Sequence, residues 1–220
     1  MSDLPADPTL GEVRAALARA LPANAAFDGW GEPALIATAA QLDIDPDIAI
    51  AAFPGGAMAQ IDAWFESIDA AMAAALPPET LAIMKIRARI AALVEARLAV
   101  LAPQREALRR ALAILAMPQN LPTAARLGWR SADVMWRLAG DIATDYNHYS
   151  KRAILAGVYA ATIAAFLDDD SPDYVDTRGF LSRRIDGIMR FEKVKAQLLG
   201  RSERRLSLSR FVGRLRYPVE

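Results

Sequence analysis

Between Arg130 and Thr177 the apolar residues recur three and four positions apart, first as Val134, Met135, Leu138 and Ile142, then as Ile154, Leu155, Val158, Tyr159 and Ile163. That spacing is the period of an α-helix and is incompatible with an alternating strand, so the stretch predicts two amphipathic or fully buried helices. A polar junction, Thr144 to Lys151, separates them, and Ser171-Pro172 closes the second, because proline cannot continue the backbone hydrogen-bond ladder. The same stretch holds the single histidine and four of the five tyrosines of the chain. Polar and aromatic side chains gathered where two apolar helices meet mark a surface or a pocket mouth.

The rest of the chain repeats the helical period. Hydrophobic residues make up 54% of the 220, with alanine prominent and β-branched residues sparse, a composition that favours helix throughout. Leu10 to Leu21 reads as a helix stopped by Pro22. Pro33 to Leu42 and Asp47 to Ala52 are two shorter ones, and Ala57 to Leu76 carries Ile61, Trp64, Phe65, Ile68 and Met72 at core spacing. After Pro77-Pro78 come Glu79 to Ala102, with Arg87, Arg89 and Arg97 assigned to solvent, and Gln104 to Met117. Pro118 and Pro122 bracket a connector, and Arg178 to Leu199 is a final charged helix. No run of about 18 apolar residues is present, so no spanning helix is expected, and the acidic opening MSDLPADP is unlike a secretory signal.

Three short helices joined by tight turns and followed by a longer one form the pattern of the helix-turn-helix head of a TetR-type regulator. The expectation is therefore an all-α, TetR-like chain: a head over 1–76, a helical body over 77–200 and a tail over 201–220. Charge argues against the regulator's function. Between Arg19 and Lys85 there is no lysine or arginine, while nine carboxylates occur. The piece matching a recognition helix, Pro46 to Phe53, is acidic and otherwise apolar. Duplex recognition needs cations for phosphates and amide or guanidinium groups for base edges, so no nucleic-acid partner is expected.

The run GDIATDYNHYSKRAILAGVYAAT, followed by DSPDYVDTRGFLSRRID, resembles the lipid-binding accessory family of ubiquinone biosynthesis, the ninth protein of the coenzyme Q pathway. FDGW at Phe27–Trp30 and FPGG at Phe53–Gly56 extend the resemblance, which spans roughly residues 27 to 200. The family has the TetR-like fold that the helix pattern suggests. The resemblance implies a lipid, an isoprenoid quinone intermediate, held in the body. The residues there that offer apolar surface are Leu112, Leu115, Met135, Leu138, Ile142, Leu155, Val158, Tyr159 and Ile163; by pattern alone an ordinary core explains them better, and it is the resemblance that favours a cavity. It also implies that the junction docks the demethoxyubiquinone hydroxylase. Asp145, Tyr149 and Arg152 match the family's patch, and His148 stands where a tryptophan is found. TetR-like bodies pair through their last long helices, which implies a homodimer through Ala153–Leu167 and Arg178–Leu199.

Catalytic and metal chemistry find little material. Zero cysteines remove thiolate ligands and nucleophiles, and point to a reducing bacterial cytoplasm. Asp145 and His148 sit like one arm of a di-iron bundle site, but a lone histidine cannot complete one of that type. Asp169-Asp170-Ser171-Pro172-Asp173 matches the DDxxD pattern that holds magnesium diphosphate. Pro172 interrupts the helical face such a site needs, and Ser171 or Asp170 reads better as a helix cap. No nucleophile elbow or phosphate loop appears. The expectation is a non-enzymatic binding protein with no cofactor and no metal, with a ligand-responsive repressor as the alternative.

The end of the chain reverses the charge of the head. From Arg190 to Tyr217 nine basic residues stand against Glu192 and Glu203. On a helix, Leu208, Phe211, Val212 and Leu215 share a stripe flanked by Arg210, Arg214 and Arg216. Such a segment lies in an anionic membrane interface or packs on the body; the resemblance favours the membrane, and with it a cytoplasmic protein peripheral to the inner membrane.

Overall fold

The computed structural model of the protein describes residues 5, 7–141 and 146–188. Thr9 and Glu12 open α1, Leu10–Asp28, with a capping box: the Thr9 amide donates to Glu12 Oε2 at 2.8 Å and the Glu12 amide to Thr9 Oγ1 at 3.3 Å. The helix runs through Pro22, where the sequence predicts a stop. The ring is buried between Leu21 and Ala25, and core packing holds the helix across the missing N–H. It ends instead at Gly29, whose φ of 78° suits glycine. α2 (Glu32–Gln41) and α3 (Pro46–Ala52) each carry a proline in the first turn, and Asp45 caps α3 by accepting from the Asp47 amide at 2.8 Å. α4 (Gly56–Ala75) buries Ile61, Trp64, Phe65, Ile68 and Met72, the stripe its spacing predicts.

The single helix expected over Glu79–Ala102 is two: α5 (Pro78–Ala82) and α6 (Ile86–Leu101). Arg89 is what holds the break. Its guanidinium donates to the carbonyls of Met84 (2.9 Å), Ala82 (3.0 Å) and Ala139 (2.8 Å), the first two left over by the interruption. The assignment of Arg89 and Arg97 to solvent is corrected with it, whereas Arg87 stays exposed as expected. Arg97 is 0% exposed and Arg87 pairs with Asp186. An Arg on an apolar helix turns inward when a carboxylate waits there, and Asp69 of α4 does.

α7 (Arg105–Leu115), α8 (Leu121–Leu138) and α9 (Tyr146–Leu167) follow, then a helical stretch over 175–188, α10. Pro122 lies in the first turn of α8 rather than in a connector. α9 stops four residues short of Ser171, and Arg105 and Arg109 satisfy the Leu167 carbonyl left there, at 2.7 and 2.9 Å. One continuous core runs from Leu17, Leu21 and Leu35 of the first helices to Leu93, Leu108, Met135 and Phe166 of the later ones. Two indoles fasten the parts together. Trp30 of the FDGW turn donates to the Ala107 carbonyl and Trp64 to Gln104 Oε1, each at 2.9 Å, with the rings 4.9 Å apart. Among the described residues there is no strand.

Candidate functional site

A groove lies beside the start of α9. Ile86, Arg87 and Ile90 of α6, Trp136 of α8, Ser150, Lys151, Ile154, Leu155 and Val158 of α9, and Ile185 and Ile188 of α10 enclose about 310 Å³. The helical period explains the wall: Ile154, Leu155 and Val158 are spaced to share one side of α9, and Ile86 and Ile90 one side of α6. The polar end is built by a network. Trp136 Nε1 donates to the Lys151 carbonyl at 3.0 Å, and Lys151 Nζ lies 2.6 Å from Asp141 Oδ1 and 5.4 Å over the Trp136 ring. The Arg87–Asp186 pair joins α6 to α10 beside the groove.

Arg152 supports this end from beneath. It is 2% exposed and its guanidinium pairs with Asp133, donates to Asp141 Oδ2 at 3.1 Å and to the His148 carbonyl at 3.0 Å. Burial pushes the Asp141 carboxyl up, but Lys151 and Arg152 outweigh it and hold the group below the usual carboxylate range. Above Arg152 lies an aromatic patch. Tyr149, 61% exposed, has its ring 6.1 Å from Trp129 and 5.1 Å from His148, the latter edge-on. Of the four residues assigned to partner docking, Tyr149 and half-buried His148 are at the surface and Arg152 is not; Asp145 lies outside the described residues.

Of the nine residues assigned to lipid, Leu155 and Val158 line the groove. Leu115, Met135, Tyr159 and Ile163 are buried in the core, Leu112 and Leu138 pack partly buried against it, and Ile142 lies outside the described residues. Tyr159 belongs to a separate interior cluster. Its hydroxyl accepts from Arg97 Nε, Arg97 pairs with Asp69, and Ser131 Oγ reaches Asp69 at 3.4 Å. Burial pushes both the Tyr159 phenol and the Asp69 carboxyl up, the latter against Arg97, Arg130 and Ser131. Sequence reasoning missed Ile86, Ile90, Ile185 and Ile188 on other helices, and Trp129 and Trp136 among the aromatics. Ile154 shares the apolar period of Leu155 and Val158. The membrane residues Leu208, Phe211, Val212, Leu215, Arg210 and Arg214 all lie outside the described residues.

The DDxxD match resolves into a turn. Asp169 is buried, and its two oxygens accept from the amides and hydroxyls of Ser171 and Thr177 at 2.5 to 2.8 Å. The cap is thus mainly Asp169, rather than Asp170, whose side chain is 96% exposed; Ser171 Oγ adds one bond from the Asp176 amide at 3.2 Å. Hydrogen bonds from Ser171 and then Thr177 hold the Asp169 carboxyl well below the usual carboxylate range. Asp173 stands apart with φ 53°, so the three carboxylates do not share a helical face. By length and composition alone His148–Leu167 could cross a bilayer, with mean hydropathy 1.3, a test that a buried core helix also passes; here Leu155, Tyr159, Ile163 and Phe166 of this helix are buried in the core. His148, Ser150, Lys151, Arg152 and Thr162 interrupt its apolar run, while the alanines, isoleucines and leucines keep the average high.

Comparison with known proteins places this region. Residues 121–192 match the COQ9 family model. The chain is 43% identical over 110 residues to the mitochondrial ubiquinone biosynthesis protein COQ9 of Rattus norvegicus and 40% identical to that of Homo sapiens, in each case over 50% of this chain and 35% of the relative. The Drosophila melanogaster COQ9 is 28% identical over 78% of this chain and 54% of its own length. The chain thus spans about a third of the first two relatives' length and about half of the third's. In structure, a TetR transcriptional regulator from Nitrosomonas europaea superposes with a TM-score of 0.63 at 23% identity, over 79% of this chain and 96% of the regulator. The chain therefore has a TetR-like fold, and the part of it that builds much of the groove and the aromatic patch resembles the COQ9 family.

Proposed function

We propose that this chain is a non-enzymatic lipid-binding accessory protein of ubiquinone biosynthesis. It holds a polyprenyl quinone intermediate in the groove between α6, α8, α9 and α10 and presents it to the demethoxyubiquinone hydroxylase at a membrane. The observation that carries the reading is the apolar groove built largely from a COQ9-like segment, next to an exposed aromatic patch. Its 310 Å³ is at the low end of ligand clefts, which run from about 300 to 1,000 Å³. A ring and the first part of a tail fill it, and a longer tail leaves along the open side. The polar end, Ser150 and Lys151, is next in sequence to His148 and Tyr149, so a ligand's polar ring lies toward the docking patch. Aromatic anchors of that kind dominate protein interfaces. The tail 201–220 brings the chain to anionic lipid, and Ala153, Gly157, Ala160 and Ala164, exposed along α9, give a smooth face for a second copy.

Organic extraction of protein purified from a quinone-producing host, followed by mass spectrometry, tests this reading. A co-purifying isoprenoid quinone or precursor is expected. Ile154→Asp places a charge in the groove wall and lowers the lipid content at least about tenfold while circular dichroism is unchanged. Lipid-free wild-type protein, or equal lipid in both, overturns the proposal.

A further inference from the structure

The outer face of α3 and the loop before it form an apolar and acidic surface with a matching segment in the same chain. α3 turns Ala49 and Ala52 into the core and leaves Asp47 outside, flanked by Ile48 and Ile50, which are 48% and 40% exposed. Asp43 and Asp45 precede it, both exposed. No lysine or arginine lies between Arg19 and Lys85, and the cation reaching α3 from α1, Arg14, is spent on the carbonyls of Ala52 and Ala59, at 2.8 and 3.2 Å, and on the Phe53 ring. Exposed branched aliphatics rimmed by uncompensated carboxylates suit one chemistry, a basic amphipathic segment. Residues 201–220, with Leu208, Phe211, Val212 and Leu215 among Arg210, Arg214 and Arg216, have that chemistry.

We infer that the α3 face is the docking site of the chain's own basic tail. Reach permits it. The described chain ends at Ile188, which lines the groove beside Ile86, at the end of α6 remote from the head. α4 spans the same axis, from Ala59 near α3 to Ala75 near α5, and its 20 residues cover about 28 Å. Twenty residues separate Ile188 from Leu208, a contour of roughly 66 Å fully extended and still roughly 46 Å with helix to Leu199 as the sequence predicts. The tail is thereby shared between two surfaces, the acidic head and an anionic lipid surface; this last consequence rests on the membrane reading above, whereas the docking itself does not.

The absence of cysteine makes the test direct. Ser207→Cys in the full chain carries a single nitroxide label, and the methyl signals of Ile48 and Ile50 are followed by NMR. The expected result is loss of at least half their intensity. Recovery is expected in about 1 M salt, where the Debye length is ~3 Å, and on Asp43→Asn/Asp47→Asn. Unchanged Ile48 and Ile50 signals in the labelled chain overturn the inference. So does broadening seen only when labelled and isotope-enriched chains are mixed, which assigns the tail to a second copy. Vesicles of anionic phosphatidylglycerol are expected to restore the signals. Vesicles that leave the broadening intact sink the membrane reading and leave the docking standing.

Discussion

Arg152 shows why residue type alone does not assign a role. Its guanidinium lies under the aromatic patch, paired with Asp133 and Asp141 and bonded to the His148 carbonyl, so it positions the first turn of α9 instead of meeting a partner. Removing one member of a buried ionic cluster leaves the others desolvated and unpaired, so Arg152→Ala is expected to cost about 3–5 kcal/mol in urea denaturation. Asp169 makes a second prediction. Its carboxyl is depressed in the folded state, so the stability it gives is complete above the unfolded pKa, about 3.9, and is lost as pH falls through the lower folded value. Asp169→Ala is therefore expected to lower the melting temperature by several degrees at pH 7, with the gap to wild type narrowing progressively below about pH 4. A gap that stays constant down to pH 2 excludes this linkage.

Among the elements, the boundary between α5 and α6 depends on a single side chain. Arg89 satisfies carbonyls of both helices and reaches Ala139 at the end of α8, which places Ile86 and Ile90 against the groove. Hydrogen bonds to charged groups contribute roughly 1.5–3 kcal/mol, so Arg89→Ala is expected to destabilise the chain by that order and to raise amide exchange over 82–90. Unchanged protection there would mean that core packing alone sets the break. α9 shows the reverse economy. Its apolar period and the stop signal after it were legible, but that its last carbonyl is held by Arg105 and Arg109, from a helix some 60 residues earlier, was not. Pro22 taught the same lesson: a helix-breaking residue was outvoted by burial.

At the scale of the molecule, the first and the later helices share one core, with Trp30 and Trp64 bonded across the joint. The fold is that of a TetR regulator, yet the surface of α3 offers carboxylates and isoleucines where phosphate and base contacts require cations. No shift of duplex DNA is expected in gel electrophoresis at about 50 mM salt, where electrostatic binding is strongest; a salt-sensitive shift would restore the repressor reading.

Helix content, the number of core-forming stripes and the charge asymmetry between head and tail were set by the sequence, because each depends on spacing along one helix or on composition. The groove was not legible in the same way. Leu155 and Val158 could be nominated from α9, but Ile86, Ile90, Trp136, Ile185 and Ile188 come from three other helices, and which stripes face one another is a property of packing. The tertiary structure likewise decided that Arg97 and Arg152 are interior and Tyr149 exterior. A charged side chain turns inward only where a distant carboxylate meets it, and that meeting is arranged by the fold.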